Sequence, residues 1–99
     1  MSQDTDQLRG KTIVITGASS GFGRGSAIRL AYLGANVVGA ARRTEVLNEL
    51  QTEVEYKGGK IHTVSCDVSN ADDIQQLYDE TLERFGTIDI WINNVGVGA

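Results

Sequence analysis

The 99-residue sequence contains no proline, one cysteine and one histidine, and it has no long apolar run. The single cysteine, Cys66, excludes an internal disulfide and favours a reducing compartment. No apolar segment approaches the ~20 residues of a membrane-spanning helix, and the polar start MSQDTDQ is unlike a signal peptide. The sequence therefore predicts a cytoplasmic location and no membrane partner.

Positive charge is also scarce, because nine Lys and Arg against 13 Asp and Glu give a formal net charge of −4. Nucleic acids and anionic lipids need surfaces with clustered cations, so neither partner is expected. The length allows one domain at most, and the apolar and charged fractions are ordinary for a globular protein. Residues 1–10 are interpreted as a polar arm, and residues 11–99 as the folded part.

Short β-branched runs alternate with helical patterns along residues 11–99. The runs typical of strands are Lys11–Thr16, Asn36–Ala41, Lys60–Ser65 and Ile88–Asn93. The helical patterns run from Phe22 to Leu33, from Thr44 as N-cap to the Gly58-Gly59 pair, and from Ser69 or Asn70 as N-cap to Gly86.

This alternation predicts an α/β fold of the Rossmann type, a doubly wound parallel sheet in the order β-α-β-α-β-α-β. Right-handed crossovers give the strand order 3-2-1-4, with the first two helices on one face and the third on the other. The fold is expected to be truncated after its fourth strand, which becomes an uncovered apolar edge.

The stretch TGASSGFG joins the first predicted strand to the first predicted helix. At this place in a βαβ unit, free backbone N–H groups and the helix dipole can hold a dinucleotide diphosphate. Gly17 would permit the tight turn, Gly21 would let the backbone approach a phosphate, and Gly23 would let the helix pack closely. Ser19 and Ser20 would add hydroxyl donors.

The alternative for this stretch is an ordinary glycine-rich connection that binds nothing. Its position before a helix inside a βαβ repeat favours the phosphate-binding interpretation. A Walker-type phosphate loop is excluded, because no Gly-Lys-Ser or Gly-Lys-Thr occurs in the sequence.

Four motifs in this order resemble the short-chain dehydrogenase/reductase family. They are the GxxxGxG spacing after Thr16, the basic pair Arg42-Arg43 after the second strand, CDV at residues 66–68, and NNVG at residues 93–96. The residues expected to line a bound dinucleotide are Gly17, Ser19, Ser20, Gly21, Phe22, Gly23, Arg42, Arg43, Asp67, Val68, Asn94, Val95 and Gly96.

The resemblance also implies individual roles. Asp67 would lie against the adenine ring. This role is favoured over that of a general base, because no partner group for a base is visible in the sequence. Asn94 would line the cofactor, with a purely structural role as the alternative, whereas Asn93 would hold the turn together. Val95 stands where the family usually has Ala and would add bulk beside the cofactor's ribose.

The end of the second strand bears on the choice of cofactor, since it would face the adenosine ribose. A carboxylate there would accept hydrogen bonds from the 2′-hydroxyl of NAD, but Ala41 occupies that place and Arg42 follows. A guanidinium suits a 2′-phosphate, so NADP(H) is the predicted cofactor and NAD(H) stays possible. Alternatively, Arg42 and Arg43 are solvated charges, and Glu45 is near enough to compete for either.

No catalytic residue can be assigned, although the resemblance implies a Ser, a Tyr-x-x-x-Lys pair and a further Asn. Tyr56 and Lys60 fit the letters, but Gly58-Gly59 lies between them and both precede the fourth strand. The pair is therefore rejected, since the chemistry needs both side chains on one helix face.

No metal site is predicted either. His62 lies in a predicted strand without a metal-type companion and is interpreted as structural or surface-exposed. Cys66 is expected to be a small half-buried residue rather than a reactive thiol.

Because the chain ends where the family's active-site loop would open, the expectation is the cofactor-binding part of a longer oxidoreductase. The parent would transfer hydride between nicotinamide and a small alcohol or carbonyl substrate, as a homo-oligomer. The alternatives are a non-catalytic dinucleotide-binding or regulatory module, and a structural α/β fragment whose glycine loop holds no ligand.

Overall fold

The computed structural model describes residues 7–19 and 21–94. Ser20, Val95 and Gly96, which the sequence places in the site, lie outside these described residues. Strands and helices alternate as predicted. The elements are β1 (Thr12–Thr16), α1 (Gly21–Tyr32), β2 (Asn36–Ala41), α2 (Thr44–Tyr56), β3 (Ile61–Ser65), α3 (Ala71–Phe85) and β4 (Ile90–Asn93).

The sheet is parallel throughout and has the strand order β3-β2-β1-β4, which confirms the predicted fold class and topology. Thr16 pairs with Ala40 on one side and with Asn93 on the other. Ala41 pairs with Ser65 on the far side of β2. The carboxyl ends of all four strands therefore meet at one edge of the sheet, where open α/β sheets bind ligands.

The core lies in two layers, one on each face of the sheet. All five residues of β1 are buried, as expected for the centre of a sheet covered on both faces. Ile13 and Ile15 pack with Leu50 of α2 and with alanines of α1, whereas Val14 packs with Leu77 of α3. The first two helices thus cover one face and the third covers the other, as the crossovers predicted.

The helix ends agree with the sequence at α3 and differ at α2. Asn70 is the N-cap of α3, since its Oδ1 accepts hydrogen bonds from the N–H groups of Asp72 (2.9 Å) and Asp73 (3.1 Å). The prediction that Thr44 caps α2 is wrong. Arg43 occupies the N-cap with extended backbone (φ −99°, ψ 118°) and without a capping side-chain bond, so Thr44 is already helical.

Other boundaries shift by one or two residues, within the usual fraying of element ends. α1 begins and ends one residue before the predicted positions, at Gly21 and Tyr32. No helix within residues 7–19 and 21–94 is long and apolar enough to cross a membrane.

The edge strand β4 is mostly apolar, and no described strand pairs with its outer side. Ile90 is 46% exposed, and Trp91 and Ile92 are half-buried. The strand IWIN carries no Lys, Pro or bulge of the kind that protects edge strands from pairing with other molecules.

We expect the 99-residue chain expressed alone to be marginally stable or to aggregate through this edge. Ile90→Lys should lower self-association, because a charge on an edge strand opposes pairing with another chain. Sedimentation velocity over a concentration series measures the effect, with Tyr56→Lys as the control, since Tyr56 is exposed on α2 away from the sheet edge. A soluble wild-type monomer with a cooperative melt would contradict the prediction.

Candidate functional site

The turn after β1 is bonded to the sheet at Ala18 and is exposed at Gly21, where α1 starts. Gly17 has a φ of 65°, in the left-handed region that favours glycine. The Ala18 N–H donates to the carbonyl oxygen of Ala40 (3.0 Å), so the buried Ala18 fixes the turn against β2. α1 then begins at Gly21, whose φ is 56°.

The start of α1 is suited to an anion. The first N–H groups of any helix lack intrahelical acceptors and carry the positive end of its dipole. No acidic residue lies in the first turn of α1 to neutralise that end. A Cβ added to Gly21 would meet no described atom within 4 Å, so the turn faces open space there. Phe22 is 72% exposed beside it, and Ser19 is partly buried.

Two other glycines and Asn94 interlock beneath this turn. A Cβ on Gly17 would overlap the Asn94 carbonyl oxygen, and a Cβ on Gly23 would overlap both the Gly17 carbonyl oxygen and the Asn94 amide. Asn94 Nδ2 donates to the Gly17 carbonyl oxygen (3.0 Å), and its backbone N–H donates to that of Thr16 (3.3 Å). Asn94 thus supports the turn through two hydrogen bonds, and its predicted contact with the cofactor stays a prediction.

Asn93 joins the ends of two strands. The Thr16 hydroxyl donates to Asn93 Oδ1 at 2.7 Å, across the β1–β4 register. This bond fixes the point where β4 leaves the sheet, in keeping with the structural interpretation of Asn93.

The two arginines after β2 have different surroundings. Arg43 Nε lies 3.8 Å from Glu45 Oε2, and both side chains are more than 70% exposed. Arg42 is also exposed, and its carbonyl oxygen accepts a hydrogen bond from the Ser65 hydroxyl (3.2 Å) at the end of β3. Glu45, which the sequence suggested could compete for either arginine, therefore lies beside Arg43. The backbone of Arg42 is instead bonded to Ser65 at the end of β3.

Asp67 follows β3 and is held at three points by the start of α3. Its backbone N–H donates to Asp73 Oδ2 (2.9 Å), and its carbonyl oxygen accepts from the Asn70 N–H (2.9 Å). Its Oδ1 accepts from the Ser69 hydroxyl (2.7 Å) and the Ser69 N–H (2.9 Å). These two bonds, with a smaller contribution from the nearby Arg42 charge, lower the pKa of the Asp67 carboxyl. The exposed Val68 lies next to it.

Cys66 is buried, with 2% of its surface exposed, which corrects the half-buried placement expected from sequence. Its N–H continues the sheet by donating to the Ala41 carbonyl oxygen (2.8 Å). Burial raises the pKa of its thiol, and the Asp73 and Asp67 carboxylates raise it further. Burial and a raised pKa both disfavour the thiolate, the reactive form of the side chain.

The remaining candidates lie away from this edge. His62 Nε2 is 2.6 Å from Glu80 Oε2, a contact that joins β3 to α3. Among the described residues no cluster of side chains could hold a metal ion. α2 ends at Tyr56 and β3 begins at Ile61, so Tyr56 and Lys60 do not share a helix face.

A groove lies on the outer surface between α1 and α2, and none of the sequence-predicted site residues lines it. Its lining residues are Gly25, Ile28, Arg29, Tyr32, Tyr56 and Lys57. The candidate site is instead the carboxyl edge of the sheet, where the start of α1 follows β1, Arg42 follows β2 and Asp67 follows β3.

The sequence did not predict that two serines support this edge: Ser65 was not named, and Ser69 was named only as a candidate N-cap of the third helix. Ser65 and Ser69 bond to Arg42 and Asp67, respectively. A local signal existed for the backbone bond of Ser69, because an Asp side chain in a turn typically accepts a hydrogen bond from the N–H two residues later. No such local signal exists for Ser65, since its partner lies 23 residues away.

Comparison with known proteins gives a consistent result. The family model for short chain dehydrogenases matches residues 11–99. Farnesol dehydrogenase of Aedes aegypti is 41% identical over 93 residues, which cover 93% of this chain and 38% of that protein. The 3beta-hydroxysteroid dehydrogenase of Mediterraneibacter gnavus is 41% identical over 87 residues, 88% of this chain and 32% of that protein.

Among solved structures, a metagenomic short-chain oxidoreductase in complex with NADP superimposes with a TM-score of 0.86 at 39% identity. The match covers 91% of this chain and 41% of that one. The chain thus spans well under half the length of the relatives it matches.

The interlocked glycines yield a prediction about stability. Gly23→Ala should lower the free energy of unfolding by about 1–3 kcal/mol, because the new Cβ overlaps backbone and amide atoms that the fold holds in place. Gly25→Ala in the same helix is the matched control. Its Cβ meets nothing within 4 Å, so it should raise the free energy of unfolding by about 0.5–1 kcal/mol. Urea unfolding followed by Trp91 fluorescence measures both, and equal effects would contradict the interlock.

Proposed function

The chain belongs to the short-chain dehydrogenase family, and we propose that it is the NADP(H)-binding part of an oxidoreductase. The parent protein would transfer hydride between nicotinamide and an alcohol or carbonyl carbon. The observation that carries the cofactor choice is the exposed Arg42 directly after β2, at a place where a carboxylate would favour NAD.

The diphosphate is proposed to lie against the start of α1. The open space at Gly21 and the absence of an acid in the first helical turn both suit a doubly charged group. Gly17, Gly23 and Asn94 would hold this turn in shape from below. Ser19 and Phe22 border the same opening and are proposed to contact the cofactor.

The adenosine half is proposed to lie across the ends of β2 and β3. Arg42 would bind the 2′-phosphate through charge-assisted hydrogen bonds, while Arg43, beside Glu45, would contribute less. Asp67 would accept a hydrogen bond from the adenine amino group, and Val68 would pack on the ring. The NADP complex of the metagenomic relative supports this choice, although NAD(H) stays possible.

The reaction class rests on the relatives. Farnesol dehydrogenase and 3beta-hydroxysteroid dehydrogenase are named for the oxidation of alcohols, which supports a small alcohol or carbonyl substrate here. When bound, the nicotinamide would supply the hydride chemistry, and this chain's residues would bind and orient the dinucleotide. The catalytic Ser and Tyr-x-x-x-Lys are proposed to come from residues beyond these 99, in a cytoplasmic homo-oligomer.

The 2′-phosphate assignment predicts a selective loss. Arg42→Ala should weaken NADP⁺ binding by about 10–100-fold, the range for losing hydrogen bonds to a charged group, and leave NAD⁺ binding within about twofold. Arg42→Asp should shift the preference towards NAD(H), because a carboxylate repels the phosphate. Equilibrium titration of both dinucleotides, followed by Trp91 fluorescence, gives the two dissociation constants.

Two comparisons make this experiment specific. Arg43→Ala should cost less NADP⁺ affinity than Arg42→Ala, since Arg43 lies beside Glu45. Lys57→Ala removes a cation at the opposite end of α2 and should change neither constant. An unchanged NADP⁺-to-NAD⁺ ratio in Arg42→Asp would refute the assignment. Failure of the folded wild-type protein to bind either dinucleotide would favour a fragment that holds no ligand.

A further inference from the structure

We propose that Ser69 is a positioning residue for the dinucleotide, which acts by holding one oxygen of Asp67 so that the other points to the adenine amino group. This inference rests on the proposed function and adds to it a residue that would itself touch no cofactor.

Within residues 7–19 and 21–94, hydrogen bonds engage Oδ1 and the backbone of Asp67 but not Oδ2, which leaves one oxygen for a ligand. Ser69 donates twice to Oδ1, from its hydroxyl at 2.7 Å and from its N–H at 2.9 Å. The backbone of residue 67 is fixed at the same time, by Asp73 Oδ2 at its N–H and by the Asn70 N–H at its carbonyl oxygen. With Oδ1 saturated and the backbone held, the direction of Oδ2 is set before any ligand arrives.

The residues that bond to Asp67 belong to the N-terminal end of α3, and this end is fixed in position. Asn70 caps α3 through two N–H groups, so the turn that contains Ser69 is part of a completed N-cap. Leu77, fully buried in the core layer beneath the sheet, fixes α3 against β1 and β2. The position of the Asp67 carboxylate is therefore set by the core through α3.

The charge state of Asp67 depends on the same bonds. Both Ser69 bonds favour the ionised carboxylate, and the Arg42 charge adds to them, so the pKa of Asp67 lies below its ordinary value. The ionised form accepts hydrogen bonds only, as an adenine amino group requires. A protein without the Ser69 hydroxyl should lose this acceptor at a higher pH than the wild type does.

The test compares Ser69→Ala with Ser69→Thr, which keeps the hydroxyl. Ser69→Ala should bind NADP⁺ and NAD⁺ about two- to tenfold more weakly at neutral pH, the range for one lost hydrogen bond. Both dinucleotides carry the same adenine, so their ratio should stay constant, unlike in Arg42→Ala. Ser69→Thr should restore the wild-type constants.

The pH profile separates positioning from general destabilisation. Between about pH 3 and pH 7, affinity should start to fall at a higher pH in Ser69→Ala than in the wild type or Ser69→Thr. Titration of the dinucleotide's own groups is common to all variants and cancels in the comparison. The control is Thr52→Ala, which removes an exposed hydroxyl bonded to its own helix at the Asn48 carbonyl oxygen and should change nothing. Far-UV circular dichroism at each pH confines the comparison to folded protein.

A second measurement needs no cofactor. The ¹³C shift of the Asp67 carboxyl should titrate at a higher pH in Ser69→Ala than in the wild type. If the wild type binds dinucleotide and Ser69→Ala matches it in affinity and in pH profile, the positioning role is overturned and the proposed function stands. If the wild type binds no dinucleotide while the carboxyl shift still moves as expected, the proposed function fails, and Ser69 only orders α3.

Discussion

The close approach of β4 to the turn after β1 is the constraint on which the site depends. Gly17 and Gly23 lack the atoms that would occupy the space of Asn94, so the Asn94 amide can bond the turn directly. This contact decides where the strand end, the turn and the first residues of α1 stand relative to one another. Side chains at either glycine would push α1 away from the sheet, and the open N-terminus of that helix would lose its fixed position.

The parallel register turns this local contact into an extended edge. Since β1, β2 and β3 end level with one another, groups far apart in sequence come together: the start of α1, Arg42 and Asp67. Two of these three groups carry positive charge, the helix N-terminus and Arg42, whereas the whole chain has a net charge of −4. In the proposed function, the helix N-terminus and the Arg42 guanidinium would bind phosphates, and the Asp67 carboxylate would accept a hydrogen bond. Local geometry therefore decides which ligand suits the edge.

Prediction from sequence succeeded where local patterns, together with the general rules for connecting strands and helices, were sufficient. The strand order followed from element alternation and crossover handedness, and the sequence narrowed the cap of α3 to Ser69 or Asn70, of which Asn70 is the cap. It failed where a distant segment set the outcome. Thr44 is not the N-cap of α2, because the chain stays extended through Arg43 as it leaves the sheet. Cys66 is buried because α3 and the sheet enclose it. Which arginine faces Glu45 could not be read from the sequence either, since both are near it.

The sequence by itself determined the fold class, the position of the glycine turn and the identity of the groups at the strand ends, because periodicity and turn chemistry are local properties. Only the tertiary structure decided how those groups are oriented. The bonds from Ser65 to Arg42 and from Asn94 to Gly17 span 23 and 77 residues. No pattern within a short window encodes them, because they exist only after the parallel strands have paired.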